Sequence, residues 1–174
     1  MQLWLDTLAS PVGELRLVGD AQGVLRALEF HDYDERLHRL LTRHYRHYEF
    51  IEGKAPASIR QALEAYFDGE PSHLDAVPVA TGGTDFQRQV WQALRQIPMG
   101  ATLSYGELAA RVGRPGASRA VGLANGANPI AIVVPCHRVI GANGTLTGYG
   151  GGLPRKRWLV AHEQRLSGAT LALF

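Results

Sequence analysis

Cysteine occurs once in these 174 residues, at Cys136, and the next two residues are His137 and Arg138. A thiol with an ordinary pKa of about 8.5 becomes a useful nucleophile when a neighbouring base or positive charge favours thiolate. His137 and Arg138 supply one of each. Glu163 is a carboxylate able to orient a histidine, and its place near the end of a predicted helix, against the helix dipole, asks for some such reason. Each residue also has a plainer reading. A lone cysteine beside Val133 and Val134 is equally a small buried hydrophobe, His137 a core or surface histidine, Arg138 an ordinary salt-bridge partner, and Glu163 a solvated carboxylate. One cysteine forms no internal disulfide, so the thiol is free, and a nucleophile, a base and an acid suit either transfer onto sulfur or thiol-dependent hydrolysis.

The run Asn128 to Ile140 is apolar and strand-like up to Pro135 and then presents Cys136, His137 and Arg138. Successive residues of an extended segment face opposite ways, so a bridging water is the expected link between Cys136 and His137. Downstream, Gly148-Tyr149-Gly150-Gly151-Gly152 is a loop whose backbone can approach a ligand closely. From Leu153 a helix begins, with Pro154 in its first turn and Trp158 and Leu159 predicted to pack inward.

The elements that must hold these groups fall into two parts, an α+β chain. Apolar stretches at Leu3 to Leu8, Leu15 to Val18 and Val24 to Phe30 predict strands of an antiparallel meander. Helical spacing follows over Asp34 to Tyr45, then a short strand over Tyr48 to Ile51 and a helix over Pro56 to Phe67. This gives an N-terminal α/β domain over residues 1–75, an antiparallel sheet with helices, and a connector over 76–83. Residues 84–168 read as a mostly helical domain, with a tail over 169–174. Thr84 with Gln87, and Ser104 with Glu107, are capping boxes that open two helices. The helix from Ser104 to Val112 stops at Gly113-Arg114-Pro115-Gly116, and another runs from Ala117 to Asn125. That is the layout of a helix-turn-helix, or of an ordinary helical hairpin.

A formal net charge of +2 hides an uneven distribution. Residues 1–80 carry 8 Lys and Arg against 13 Asp and Glu, a balance of −5, whereas residues 81–174 carry 10 against 3, a balance of +7. The basic half is expected to meet a polyanion, because cations that neutralise phosphates release counterions. No stretch approaches the ~20 apolar residues of a membrane span, and the N-terminus lacks a signal-peptide layout, so a cytoplasmic protein with no membrane partner is expected.

Pro135-Cys136-His137-Arg138-Val139 resembles the signature of the O6-alkylguanine-DNA alkyltransferases, or methylated-DNA-protein-cysteine methyltransferases. The resemblance extends in order through Thr84-Asp85-Phe86-Gln87, Ser104-Tyr105-Gly106, Ser118-Arg119-Ala120-Val121-Gly122, Asn128-Pro129, Gly148-Tyr149, Trp158-Leu159 and His162-Glu163. It implies a ribonuclease-H-like first domain and a winged helix-turn-helix-like second one. It also implies irreversible repair, in which the alkyl group of O6-alkylguanine, and of O4-alkylthymine, moves from double-stranded DNA to Cys136.

In that resemblance His137 is the base acting through a water, Glu163 orients it, Tyr105 protonates the leaving guanine and Asn128 braces the active-site turn. The helix from Ala117 enters the minor groove, with Ser104, Ala117 and Ser118 at the DNA and Arg119 replacing the flipped nucleotide. Val139, Tyr149, Gly150, Gly151 and Trp158 form the base pocket, Val139 through its carbonyl. No cofactor is implied, and the protein is expected to act as a monomer able to cluster on DNA. Some relatives hold zinc in the first domain through cysteines and histidines. Without a cysteine there, no metal is expected, and His44 and His47, beside Arg43 and Arg46, read as a solvated face rather than a site with His38. Glycine at 150, where some relatives have serine, removes a side-chain hydrogen bond to guanine O6 but not a backbone one, and small Gly150 and Gly151 are expected to widen the pocket for larger alkyl groups. A thiol hydrolase and a non-catalytic lesion-binding module remain the rival classes, separated from the transferase by turnover and by the need for Cys136.

Overall fold

The computed structural model describes residues 1–168, and the tail over 169–174 lies outside them. Its chain divides into two compact units.

The first unit comprises Met1–Gly83 together with Pro129–Val133. Strands β1 (Gln2–Leu8), β2 (Leu15–Asp20) and β3 (Leu25–Phe30) form the antiparallel meander. Helix α1 (Asp34–Tyr45) then carries the chain across, and β4 (Glu49–Ile51) joins the far edge parallel to β1, in the order β3-β2-β1-β4. The sheet is therefore mixed, a correction to the antiparallel expectation. A helical crossover returns a strand in the same direction, which a tight hairpin cannot do. Leu37 and Leu41 of α1 pack on Leu3, Val18 and Ala27, so the helix spacing seen in the sequence is the stripe that covers one sheet face. Trp4 lies against Gly19, where an added Cβ would sit 2.0 Å from a ring carbon. Helix α2 (Ala57–Phe67) buries Ile59, Ala62, Leu63 and Tyr66.

The second unit comprises Thr84–Asn128 and the chain from Val134 on. Helix α3 (Asp85–Leu94) is opened by a complete capping box from Thr84 and Gln87, and α4 (Tyr105–Arg111) by one from Ser104 and Glu107. Each box satisfies two otherwise orphaned backbone donors, which is why both helices start where the sequence said they would. Gly113 and Gly116, at φ 77° and 85°, make the left-handed turn between α4 and α5 (Ser118–Gly126). The Trp91 indole donates to the Ala124 carbonyl at 2.8 Å and ties α3 to α5. A two-residue parallel pair, β5 (Leu103–Ser104) with β6 (Val139–Ile140), and helix α6 (Leu153–Ser167) complete the unit.

Candidate active site

Every residue from Asn128 to Ile140 is buried, which explains the unbroken apolar run, but the run is not a strand. Beyond a single bridge from Ile130 to Leu28, and before the two residues of β6 that end it, it folds into successive tight turns. Ile132 has φ 71°, and Val133 N–H donates to the Ala131 carbonyl at 2.8 Å, a three-residue γ-turn in a region β-branched residues avoid. Pro135, at φ −83° and ψ 68°, then makes the mirror-image γ-turn, with Cys136 N–H donating to the Val134 carbonyl at 2.8 Å. Cys136–Arg138 follow as one 3-10 turn. The strand expectation failed because burial on all sides writes the same pattern as a buried strand. Strain of this kind persists only where its surroundings enforce it. Asn128 does so, its amide donating to the Val134 carbonyl at 2.8 Å, and the buried Asn125 amide reaches the Cys136 carbonyl at 3.4 Å.

Cys136 itself is 7% exposed, and its neighbour His137 is wholly buried. His137 Nε2 lies 2.6 Å from Glu163 Oε2. Arg138 clamps the same carboxylate, Nε to Oε1 at 2.7 Å and Nη2 to Oε2 at 3.2 Å, while Nη1 donates to the Ile97 carbonyl at 2.7 Å. Burial would raise the Glu163 carboxyl, yet the His137 and Arg138 charges and hydrogen bonds outweigh it and hold the group well below the usual carboxylate range. For His137 burial dominates over the attraction of Glu163, so the imidazole titrates below its ordinary value. A neutral imidazole against an ionised carboxylate must carry its proton on Nε2 and donate it to Glu163. The basic lone pair is then on Nδ1, which is buried and has no hydrogen-bond partner among the described residues.

Arg138 thus spends its charge on Glu163, not on the thiol as the sequence suggested. Sequence reasoning missed Lys156, whose ammonium burial pushes down to about 8 while the charge of Cys136 works against that shift. Lys156 is 0% exposed, on the same buried stripe of α6 as Leu159, Val160 and Glu163. A lysine and a glutamate in phase with an apolar stripe were the available signal. Asn125 was missed as well, one helical turn ahead of Asn128.

The remaining candidates are arranged as follows. Tyr105, half-buried at the start of α4, accepts a hydrogen bond from Thr147 Oγ1 at 3.2 Å. Ser104 uses its hydroxyl to cap α4, accepting from Glu107 N–H at 3.0 Å. On α5, Ser118 and Arg119 are exposed with Ala120 and Leu123, and Ala117 precedes the helix half-buried. Val139 is buried and paired with Leu103. The 148–152 loop turns through Gly152 N–H to the Tyr149 carbonyl at 2.9 Å, and Arg155 holds the Gly151 carbonyl at 3.2 Å. Tyr149 and Gly150 are half-buried and Gly151 buried. Trp158 is half-buried, stacked on His162 with centroids 4.7 Å apart, and so does not pack fully inward. Among the described residues no three His, Cys, Asp or Glu side chains gather in a way that could hold a metal ion.

Comparison with known proteins agrees across both units. Residues 4–81 match the family model of the 6-O-methylguanine DNA methyltransferase ribonuclease-like domain, and residues 85–165 that of the DNA binding domain. A methylated-DNA–protein-cysteine methyltransferase of Salmonella typhimurium is 55% identical over 165 residues, covering 94% of this chain and 96% of the relative. One from Mycobacterium tuberculosis is 49% identical over 172 residues, covering 97% and 96%. The crystal structure of Mycobacterium tuberculosis OGT in complex with DNA superposes with a TM-score of 0.80 at 46% identity, covering 99% of this chain and 98% of that one. With a buried His–Glu pair beside its single cysteine and both family domains present, the chain belongs to the methylated-DNA–protein-cysteine methyltransferases.

Proposed function

We propose that this protein repairs alkylated DNA directly, moving the alkyl group from guanine O6, and from thymine O4, onto Cys136. The observation that carries this reading is the buried His137–Glu163 pair, which leaves a basic Nδ1 on the residue next to the only thiol. His137, through a water, takes the Cys136 proton. The thiolate then attacks the alkyl carbon, an S–C bond forms as the C–O6 bond breaks, and the bond's electron pair passes to the base. Tyr105 donates a proton to the departing guanine and is reprotonated from solvent. Glu163 holds the imidazole and stabilises its charged form. The thioether product has no group here to cleave it, so each molecule reacts once.

An alkyl carbon inside a duplex is out of reach of a thiol, so the nucleotide must leave the stack at a cost of a few kcal/mol. Helix α5 is suited to the minor groove, whose degenerate edge pattern allows scanning of any sequence, with Arg119 filling the gap left by the flipped base. Ala117, Ser118 and the start of α4 at Ser104 line that approach. Val139, Tyr149, Gly150, Gly151 and Trp158 enclose the base, while Asn128 keeps the nucleophile turn in shape. Among the described residues no helix is long and apolar enough to cross a membrane, which suits work on DNA in the cytoplasm. The protein acts as a monomer able to cluster on DNA.

The test is intact-protein mass after incubation with a duplex containing one O6-methylguanine, followed by peptide mapping. A gain of one methyl group on Cys136, saturating at one per molecule, is expected. Repeated turnover without mass gain would mean a hydrolase, and unchanged mass with tight lesion binding a recognition module; either result overturns the proposal.

A further inference from the structure

A phenol that gives up a proton leaves a negative oxygen behind, and a donor already aimed at that oxygen lowers the barrier, because nothing must reorganise as the charge appears. Tyr105 has such a donor. Its hydroxyl accepts from Thr147 Oγ1 at 3.2 Å, a contact between residues 42 apart in the chain. Because Thr147 supplies the proton in this bond, the phenolic proton stays available for a second partner. Both ends of the contact are held. The Tyr105 ring lies on α5 at Gly122, where an added Cβ would sit 3.6 Å from a ring carbon. On the other side, Gly141 N–H donates to the Thr145 carbonyl at 2.8 Å, closing the turn that delivers Thr147, and the Thr147 carbonyl accepts from Lys156 Nζ at 2.6 Å.

We infer that Thr147 is a positioning residue for the proton donation: its hydroxyl holds Tyr105 Oη and stabilises the phenolate formed as the proton passes to the departing guanine. The inference rests on Tyr105 being the proton donor in the function proposed above. The Tyr105 O–H bond breaks, the proton bonds to the base, and the electron pair stays on the oxygen that Thr147 already faces. Thr147 keeps its own proton, and solvent restores the tyrosine's. Thr147 is exposed, so water competes for this bond and its contribution is small while the phenol is neutral. Charge on the acceptor roughly doubles the strength of such a bond. The gain therefore falls in the transition state, where it raises the rate rather than tightening DNA binding.

The experiment measures single-turnover transfer from an O6-methylguanine duplex to full-length protein. It compares wild type, Thr147→Val, which keeps the shape without the hydroxyl, Thr147→Ser, which keeps the hydroxyl, Tyr105→Phe, and Tyr105→Phe combined with Thr147→Val. Thr147→Val is expected to slow transfer roughly five- to tenfold, the difference between a neutral and a charge-assisted bond. Its dissociation constant for the duplex should stay within about twofold of wild type, and the Thr147→Ser rate should return to within about twofold. In the Tyr105→Phe background, Thr147→Val should cause no further loss, because no phenol remains for the hydroxyl to act on. Equal slowing with and without the Tyr105 hydroxyl would overturn the inference, since loop shape alone would then be at work. A Thr147→Ser protein as slow as Thr147→Val, or a Thr147→Val protein at the wild-type rate, overturns it equally. A Tyr105→Phe protein at the wild-type rate removes the proton donor and this inference with it, yet leaves the repair function standing. Only failure of wild type to gain a methyl group on Cys136 would refute that function.

Discussion

Replacing Glu163 by glutamine keeps its shape and removes its charge, and three hydrogen bonds determine what happens next. Arg138, 6% exposed, loses the counter-ion it grips through two nitrogens. Breaking one side of a buried ion pair costs about 3–5 kcal/mol, because the other charge stays buried. At about 2–4 °C per kcal/mol for a chain of this size, the melting temperature should fall by roughly 6–20 °C. The second effect is chemical. If the new amide keeps its oxygen toward Arg138, its NH2 faces His137 Nε2, which must then accept, and the imidazole proton moves to Nδ1. The basic lone pair is lost from the side on which the water would sit. General-base assistance contributes roughly 10²–10⁴-fold, so single-turnover transfer from O6-methylguanine duplex should slow by at least about a hundredfold. Arg138→Met made alone and together with Glu163→Gln closes the cycle, and the double variant should be more stable than the sum of the single losses implies. A Glu163→Gln protein that melts within about 1 °C of wild type and transfers at the wild-type rate would refute the reasoning, since the pair would be neither structural nor catalytic.

Acid should destabilise the second unit in two stages. His137 has a depressed folded pKa, so as pH falls through about 6.5 the unfolded chain takes a proton that the folded one does not, and stability declines. Glu163, also depressed, contributes stability that is intact above about 4.3 and lost progressively below it, and urea titrations from pH 8 to 3 should show the lower stage missing in Glu163→Gln. Asn128→Ala removes the side-chain donor to the Val134 carbonyl and should cost about 1–3 kcal/mol in a urea melt while slowing transfer; an unchanged transfer rate would show that the nucleophile turn needs no brace. Ile132→Gly would relieve about 1–3 kcal/mol of backbone strain but lose a buried side chain worth about 2–5, so net destabilisation is expected, and a more stable variant would show the strain to be larger than its geometry suggests. Gly19→Ala should destabilise the first unit strongly, measured by its urea midpoint, because the Trp4 ring occupies the space the new methyl group needs.

What the sequence disclosed and what it withheld divide along physical lines. Helix starts were legible where side chains make the cap, at Thr84–Gln87 and Ser104–Glu107, and α1 appears with the bounds that its leucine spacing implies. The direction of β4 was not legible, because strand polarity depends on the crossover before it rather than on any residue within it. The nucleophile turn was misread for a related reason: hydrophobicity reports burial, whereas the turns are set by Pro135 and by a side chain at Asn128 that bonds across six residues. Single residues could not establish that Glu163 and His137 meet. It took the ordered set of motifs from Thr84 to Glu163 to point there, and Lys156, which belonged to none of those motifs, stayed hidden on the buried stripe of α6.

The short stretch Pro129–Val133 constrains how this protein can be divided. It folds with the N-terminal half, exchanging backbone hydrogen bonds with Leu28, although the residues on either side of it belong to the C-terminal half. A fragment beginning at Thr84 would therefore contain every reactive group yet strand five apolar residues, just upstream of its thiol, without the backbone partner they use in the intact chain. Trimming the gene to its chemical half is predicted to yield a sticky, poorly shaped product, and shuffling halves between relatives should succeed only when this stretch travels with the N-terminal parent.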